Sequence, residues 1–255
     1  MPVQLRRPVP MPQPPARRFR LITLDLDDTL WPCEPVIRAA EEAALDWLGG
    51  REPRMTETHD PQTLRAHRLR LMEEYPQIAH DLGQVRRLSI ALLLQELGHP
   101  PDLADALAEG ALAVFMAHRN RLDPFEDVEP VLRRLTERFA LVSITNGNAD
   151  PEQTALRGLF DHHVTAARAG AAKPDPSVFA FALDLAGCTA AECLHIGDEP
   201  YLDVEAARAL GIEAIWVNRS GRPWPDDLPP PVLEIADFRQ LADWLDDNPG
   251  DDDGV

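Results

Sequence analysis

The chain has few cysteines, no long apolar run and a shortage of positive charge, and each of these removes a class of function. Its three cysteines (Cys33, Cys188 and Cys193) cannot all pair, and they form no metal-ligand spacing. A disulfide scaffold is excluded, and the three read as reduced thiols of a cytosolic protein. No stretch approaches the roughly 18 apolar residues that a membrane span requires. The N-terminal arginines are followed by no apolar segment of the kind a secretory leader carries. Lys and Arg number 25 against 43 Asp and Glu, a net charge of −18, which is the wrong sign for nucleic-acid phosphates. A small phosphate ester stays possible, because a local cation can dominate a small pocket. The histidines form no metalloprotease pattern, and Ser143 lacks the glycines of a nucleophile elbow.

What remains is a globular chain. Forty-four per cent of its 255 residues are hydrophobic, enough for a sizeable core in one domain with a large insertion or in two small domains. Residues 1–18 hold six prolines and four arginines and read as a disordered arm. Residues 246–255, with Asp246, Asp247, Asp251, Asp252 and Asp253, read as a solvated acidic tail.

Between these ends the hydrophobic pattern changes twice. A short buried strand over Phe19–Leu24 is followed by a stretch, residues 34–122, with helical patterns and no convincing strand. Helices are expected at Val36–Leu48, Thr63–Glu74, Gln84–Leu97 and Asp102–Arg121, and the proline-containing segment 51–62 reads as a loop. From residue 123 to 245 short apolar runs alternate with helical segments. Strands are expected at Ala140–Ile144, His163–Ala166, Cys193–Ile196 and Glu213–Val217; helices are expected at Val128–Arg138, 151–158, Ser177–Ala186 and Val204–Leu210. That alternation predicts an α/β core, residues 19–33 and 123–245, built on a doubly wound parallel sheet and interrupted by the helical module 34–122. In such sheets ligands lie at the carboxyl ends of the strands. The residues placed there are Asp25 and Asp27, Thr145 and Asn146, and Asp198.

Asp25, Asp27 and Asp28 put three carboxylates into four positions. Like charges so close raise one another's pKa unless a cation or hydrogen-bond donors offset the repulsion. Taken alone the stretch also suits a solvated Asp turn with a Thr cap. The convergence of the other polar residues on the same sheet edge argues for a reaction or a metal.

Four segments in order, Asp25-Leu26-Asp27-Asp28-Thr29, Ser143-Ile144-Thr145-Asn146-Gly147, Lys173-Pro174 and Gly197-Asp198-Glu199-Pro200-Tyr201-Leu202-Asp203, resemble the motifs of the haloacid dehalogenase-like hydrolases. The resemblance covers residues 19–220 and implies a Rossmann-like core with a helical cap. It implies Asp25 as nucleophile, Asp27 as proton shuttle, and Thr145, Asn146 and Lys173 as phosphate ligands. Mg2+ would be held by the Asp25 and Asp198 carboxylates and the Asp27 carbonyl, with Asp203 behind them. An acid at position 27 favours a phosphatase over a dehalogenase, since halide leaves without a proton. Phosphomutase stays open, as does a catalytically idle interaction module with the proline-rich arm as its contact.

Asp25–Trp31, Glu34-Pro35-Val36-Ile37, Ile144–Ala149, Arg168-Ala169-Gly170 and Leu194–Asp198 narrow the resemblance to a bacterial branch containing flavin-pathway phosphatases. Those act on 5-amino-6-(5-phospho-D-ribitylamino)uracil and FMN. The chain departs from many members at Glu199-Pro200. The implied partner is a small phosphorylated metabolite, with another sugar phosphate or nucleotide as alternative and no nucleic acid or membrane; a monomer and a homodimer are both compatible. Cys33 reads as a buried thiol. Trp31, Tyr75, Arg86, Arg87 and Arg119 read as core packing and wet charge.

Overall fold

The computed structural model describes residues 18–248; residues 1–17 of the arm and 249–255 of the tail lie outside that range. Among the described residues, six strands form one sheet. They are β1 (Leu21–Leu24), β2 (Ala140–Thr145), β3 (His162–Thr165), β4 (Cys193–Gly197), β5 (Glu213–Val217) and β6 (Glu234–Ile235). Every pair is parallel, in the order β3-β2-β1-β4-β5-β6. No helix here is long and apolar enough to cross a membrane.

Alternation within the strands supplies both faces of the sheet. Ile22, Leu24, Leu141, Ile196 and Ile215 pack under α6 (Val128–Leu135) and α10 (Phe238–Asp247). Leu21, Val142, Ile144, Ala214 and Trp216 pack under α8 (Pro176–Ala186) and α9 (Ala206–Ala209). Both faces are covered, which gives the doubly wound α/β arrangement.

All helices between β1 and β2 except α6 stand apart from the sheet. They are α1 (Glu34–Gly49), α2 (Pro53–Thr58), α3 (Pro61–Glu74), α4 (Leu82–Glu96) and α5 (Pro101–Arg119). They bury their own clusters, one around Leu48, Leu94 and Ala108 and a second around Ala40, Ala44 and Phe115.

Helix α2 corrects the expectation of a loop over 51–62. Pro53 and Pro61 sit in first turns, where a missing N–H costs nothing. Glu52 and Asp60 cap the two helices by accepting the Arg54 and Thr63 N–H groups. The expected helix over 151–158 is only a 3₁₀ turn at Pro151–Gln153. Thr154 ends it: its hydroxyl donates to the Pro151 carbonyl and accepts from the Leu156 N–H, an alternative to helical bonding. Helix α6 stops at Leu135, short of Arg138. The segment Pro200–Glu205 is a π-helical turn and α9 begins only at Ala206, in place of one helix over Val204–Leu210. Asp246 and Asp247 finish α10 and are not tail; Asp246 pairs with Arg134 and, at 2.8 Å, with Arg138.

Candidate active site

β1 lies at the centre of the sheet, where the chain's strand order reverses, and its carboxyl end therefore faces a crevice. Asp25 follows directly and continues the parallel ladder by donating its N–H to the Ile196 carbonyl. Asp198 leaves β4 alongside it, Thr145 ends β2, and the loop after α7 (Ala166–Ala169) brings in Lys173. All seven residues expected at the site (Asp25, Asp27, Thr145, Asn146, Lys173, Asp198 and Asp203) line one cavity of about 160 Å³.

Lys173 is the hub. Its Nζ donates to Asp25 Oδ1 at 2.5 Å, to Asp203 Oδ1 at 2.6 Å and to the Ile144 carbonyl at 3.1 Å. Burial works against its charge, but the Asp203 and Asp25 carboxylates outweigh it and hold the ammonium above its ordinary pKa. Asn146 fixes the loop that carries Lys173: its amide donates to the Lys173 carbonyl at 2.8 Å and accepts the Lys173 N–H at 2.7 Å. The side chain of Asn146 is thereby committed to Lys173.

Asp203 is 1 % exposed and all its contacts are with protein. Besides Lys173 it accepts the Glu199 N–H at 2.9 Å, across the π-helical turn. It lies within that turn, so it caps the turn from inside and does not start a helix at Val204. Burial pushes its carboxyl up, yet Lys173 and His195 prevail and hold it below the usual carboxylate range. His195, read from sequence as an ordinary strand residue, is buried beneath it in β4. Its Nδ1 lies 2.9 Å from Thr23 Oγ1 and its Nε2 3.4 Å from Asp203 Oδ1.

Asp25 and Asp198 are compensated less well. Burial, before any neighbour, pushes Asp25 well above the carboxylate range and Asp198 up to about 7. The single Thr29 hydroxyl serves both, 3.2 Å from Asp25 Oδ2 and 3.3 Å from Asp198 Oδ1. Carboxylate oxygens of Asp25, Asp198 and Asp203 lie within 4.8 Å of one another. Trp216 Nε1 donates to the Asp198 carbonyl at 2.7 Å, which fixes the strand end.

Asp27 lines the same cavity but stands outside this ion-pair network. Trp31 Nε1 donates to its Oδ1 at 2.8 Å, and Arg119 Nη2 lies 2.6 Å from each oxygen. Trp31 is fully buried in the core, as its reading as packing expects; Arg119 is fully buried too, which corrects its reading as wet charge. The pairing of Trp31 with Asp27, four residues earlier, was visible as a spacing only. Arg119 joins from 92 residues away, and no local pattern marks it. Asp28, at φ 59°, accepts the Cys33 N–H and turns the chain toward α1.

A family model for haloacid dehalogenase-like hydrolases matches residues 19–211. The 5-amino-6-(5-phospho-D-ribitylamino)uracil phosphatase YigB of Escherichia coli is 33% identical, covering 89% of this chain and 97% of that protein. The phosphoserine phosphatase of Thermus thermophilus is 31% identical over 88% of this chain and 98% of its own. The crystal structure of a 2-haloacid dehalogenase from Pseudomonas syringae superposes with a TM-score of 0.84 at 36% identity, covering 90% and 99% of the two chains. The chain belongs to the haloacid dehalogenase-like hydrolase family.

Proposed function

We propose that the protein is a magnesium-dependent phosphomonoester hydrolase that works through an aspartyl-phosphate on Asp25. The observation that carries this reading is the second carboxyl, Asp27. It lines the same cavity as Asp25 and Lys173 but takes no part in their ion-pair network. An Asp25 carboxylate oxygen attacks phosphorus while the ester P–O bond breaks. The departing alkoxide takes the proton of the Asp27 carboxyl and leaves as an alcohol. Water then attacks the same phosphorus, Asp27 accepts its proton, and the bond to Asp25 breaks to release phosphate. The Lys173 ammonium and the Thr145 hydroxyl, with the Asn146 N–H, hold the phosphoryl oxygens. A 2-haloacid dehalogenase shares the nucleophile, but halide departs without a proton and gives an Asp27-type acid nothing to do.

A hard divalent cation fits this donor set. Two buried carboxylates, Asp25 and Asp198, share one hydroxyl proton, and both are pushed toward protonation by burial. Their oxygens and the Asp27 carbonyl are the donors magnesium prefers. When bound, the cation offsets the charge that repels a phosphate dianion. Asp203 supports this set through Lys173.

Helices α1–α5 act as the cap and set the substrate. A cavity of about 470 Å³ beside Asp28 has an apolar wall with Ile37, Met72 and Val85 and a charged wall with Glu41, Arg68 and Arg86, a size suited to a metabolite-sized leaving group. The likeness to the Escherichia coli phosphatase makes 5-amino-6-(5-phospho-D-ribitylamino)uracil the leading substrate, with FMN beside it and other sugar phosphates or nucleotides as alternatives. Such a role places the protein in the cytoplasm. Asp25→Asn is expected to abolish Mg2+-dependent hydrolysis of 4-nitrophenyl phosphate with an unchanged circular dichroism spectrum. Near-native turnover by that variant, or halide release from 2-haloacids in place of phosphate release, would sink the reading.

A further inference from the structure

Arg119 closes α5, and its side chain has no exposed surface. Among the described residues its Nε and Nη1 have no hydrogen-bond partner, although both are buried. Leaving two nitrogens of a guanidinium unsatisfied away from water is costly. An apolar side chain of similar volume would serve stability as well or better. Among the described residues the one hydrogen-bonded partner of the Arg119 side chain is Asp27, at 2.6 Å from both oxygens.

The consequence for Asp27 is geometric. Oδ1 is held twice, by the Trp31 indole and by Arg119. Oδ2 accepts from Arg119 and points toward Gly147, where a Cβ would come within 2.7 Å of it and 3.2 Å of Thr145 Oγ1. Thus Oδ2 faces the loop that carries the phosphate ligands, and only a residue without a side chain leaves that approach open. The next residue, Asn120, accepts the Asp150 N–H at 2.9 Å. The end of α5 is therefore fastened to the loop after β1 and to the loop after β2 at once.

We infer that Arg119 is a positioning residue for Asp27: from the cap helix α5 it holds the carboxyl so that Oδ2 faces the ester oxygen of the bound substrate. The inference rests on Asp27 as the proton shuttle. In this role Arg119 orients the proton donor and is not one.

The test compares two leaving groups in the full-length, magnesium-loaded protein. Phenyl phosphate releases a phenolate of pKa about 10 and gains from a positioned acid; 4-nitrophenyl phosphate releases a weaker base that needs the proton far less. General acid catalysis contributes about 10²–10⁴-fold. Arg119→Met is expected to lower kcat/KM for phenyl phosphate by ~30-fold or more and for 4-nitrophenyl phosphate by less than ~3-fold, on the scale of that contribution. Arg119→Lys, which retains a cation, is expected to recover part of the difference. In an Asp27→Asn background, Arg119→Met is expected to leave the ratio between the two substrates unchanged, as for two residues acting through one group. Equal losses on both substrates, in Arg119→Met or in Arg119→Lys if the former fails to fold, would assign Arg119 a structural role and overturn the inference. If Asp27→Asn itself shows no leaving-group preference, the proton-shuttle reading fails first, and the inference fails with it.

Discussion

Replacing Lys173 with Met tests the electrostatic organisation of the site without changing its volume much. In the native protein the ammonium stands 2.5 Å from Asp25 and 2.6 Å from Asp203, and all three groups are buried. Removing one member of a buried ion pair costs about 3–5 kcal/mol, because the remaining charge stays buried without compensation. At roughly 2–4 °C per kcal/mol for a chain of this size, the melting temperature is expected to fall by about 6–20 °C. The sign of the pH dependence follows. Native Asp203 lies below the usual carboxylate range, so it contributes stability at neutral pH that fades as the pH drops through its folded value. Without Lys173, burial and the neighbouring acids act on Asp25 unopposed by a cation, and Asp203 keeps only His195 and the Glu199 N–H against burial, so both are raised. The variant's deficit is then greatest at pH 7 and shrinks toward pH 5, where protonation relieves it. Urea unfolding at the two pH values, with and without Mg2+, measures this directly. A deficit below about 1 kcal/mol, or one equal at pH 5 and pH 7, would refute the view that Lys173 neutralises the buried acids.

Gly197→Ala is expected to cost about 1–3 kcal/mol by overpacking, since a Cβ there would meet Asp203 Cγ at 2.3 Å and that carboxylate is already fixed on two sides; urea titration and turnover check both effects. Cys33 is expected to resist alkylation by iodoacetamide at pH 8 in the native protein, because burial, then Asp27, pushes its thiol up to about 12 and leaves almost no thiolate. Mass spectrometry of the labelled native and urea-unfolded chain reads this. Labelling of native Cys33 as fast as of the unfolded chain would contradict it.

Residues that act where the chain itself places them were legible in the sequence. Asp25, Thr145 and Asp198 each end an apolar run, so the doubly wound topology alone brings them to one edge. Lys173 was recognisable by its place before Pro174, but its triple grip on Asp25, Asp203 and the Ile144 carbonyl is a product of loop packing. Arg119 was hidden for a different reason. Leu107, Ala111, Phe115 and Arg119 share a helix face, and an arginine at the end of that row reads as a wet terminus when the partner is 92 positions away. The helices α2 and α10 were missed through their composition. Prolines that normally break helices start α2, and a run of acids that normally stays solvated ends α10, where Arg134 and Arg138 receive Asp246. The two-residue strand β6 is too short to leave a periodicity.

The central position of β1 has a consequence for how the protein is made. Leu21 pairs with Ala140 on one side and with Cys193 on the other, so the strand that leads into Asp25 precedes both of its neighbours and gains the second of them only when β4 has been made. Long intervening segments raise the entropy of closure only logarithmically, which is why an entire helical module can be tolerated between β1 and β2. They do slow assembly, since the rewarding contacts are far apart along the chain. Until residues 193–197 have left the ribosome, Leu21–Leu24 is an apolar strand without a neighbour on its β4 side. A nascent chain arrested before that point holds Asp25 on an open, adhesive edge, whereas one released a few dozen residues later can close the sheet around it.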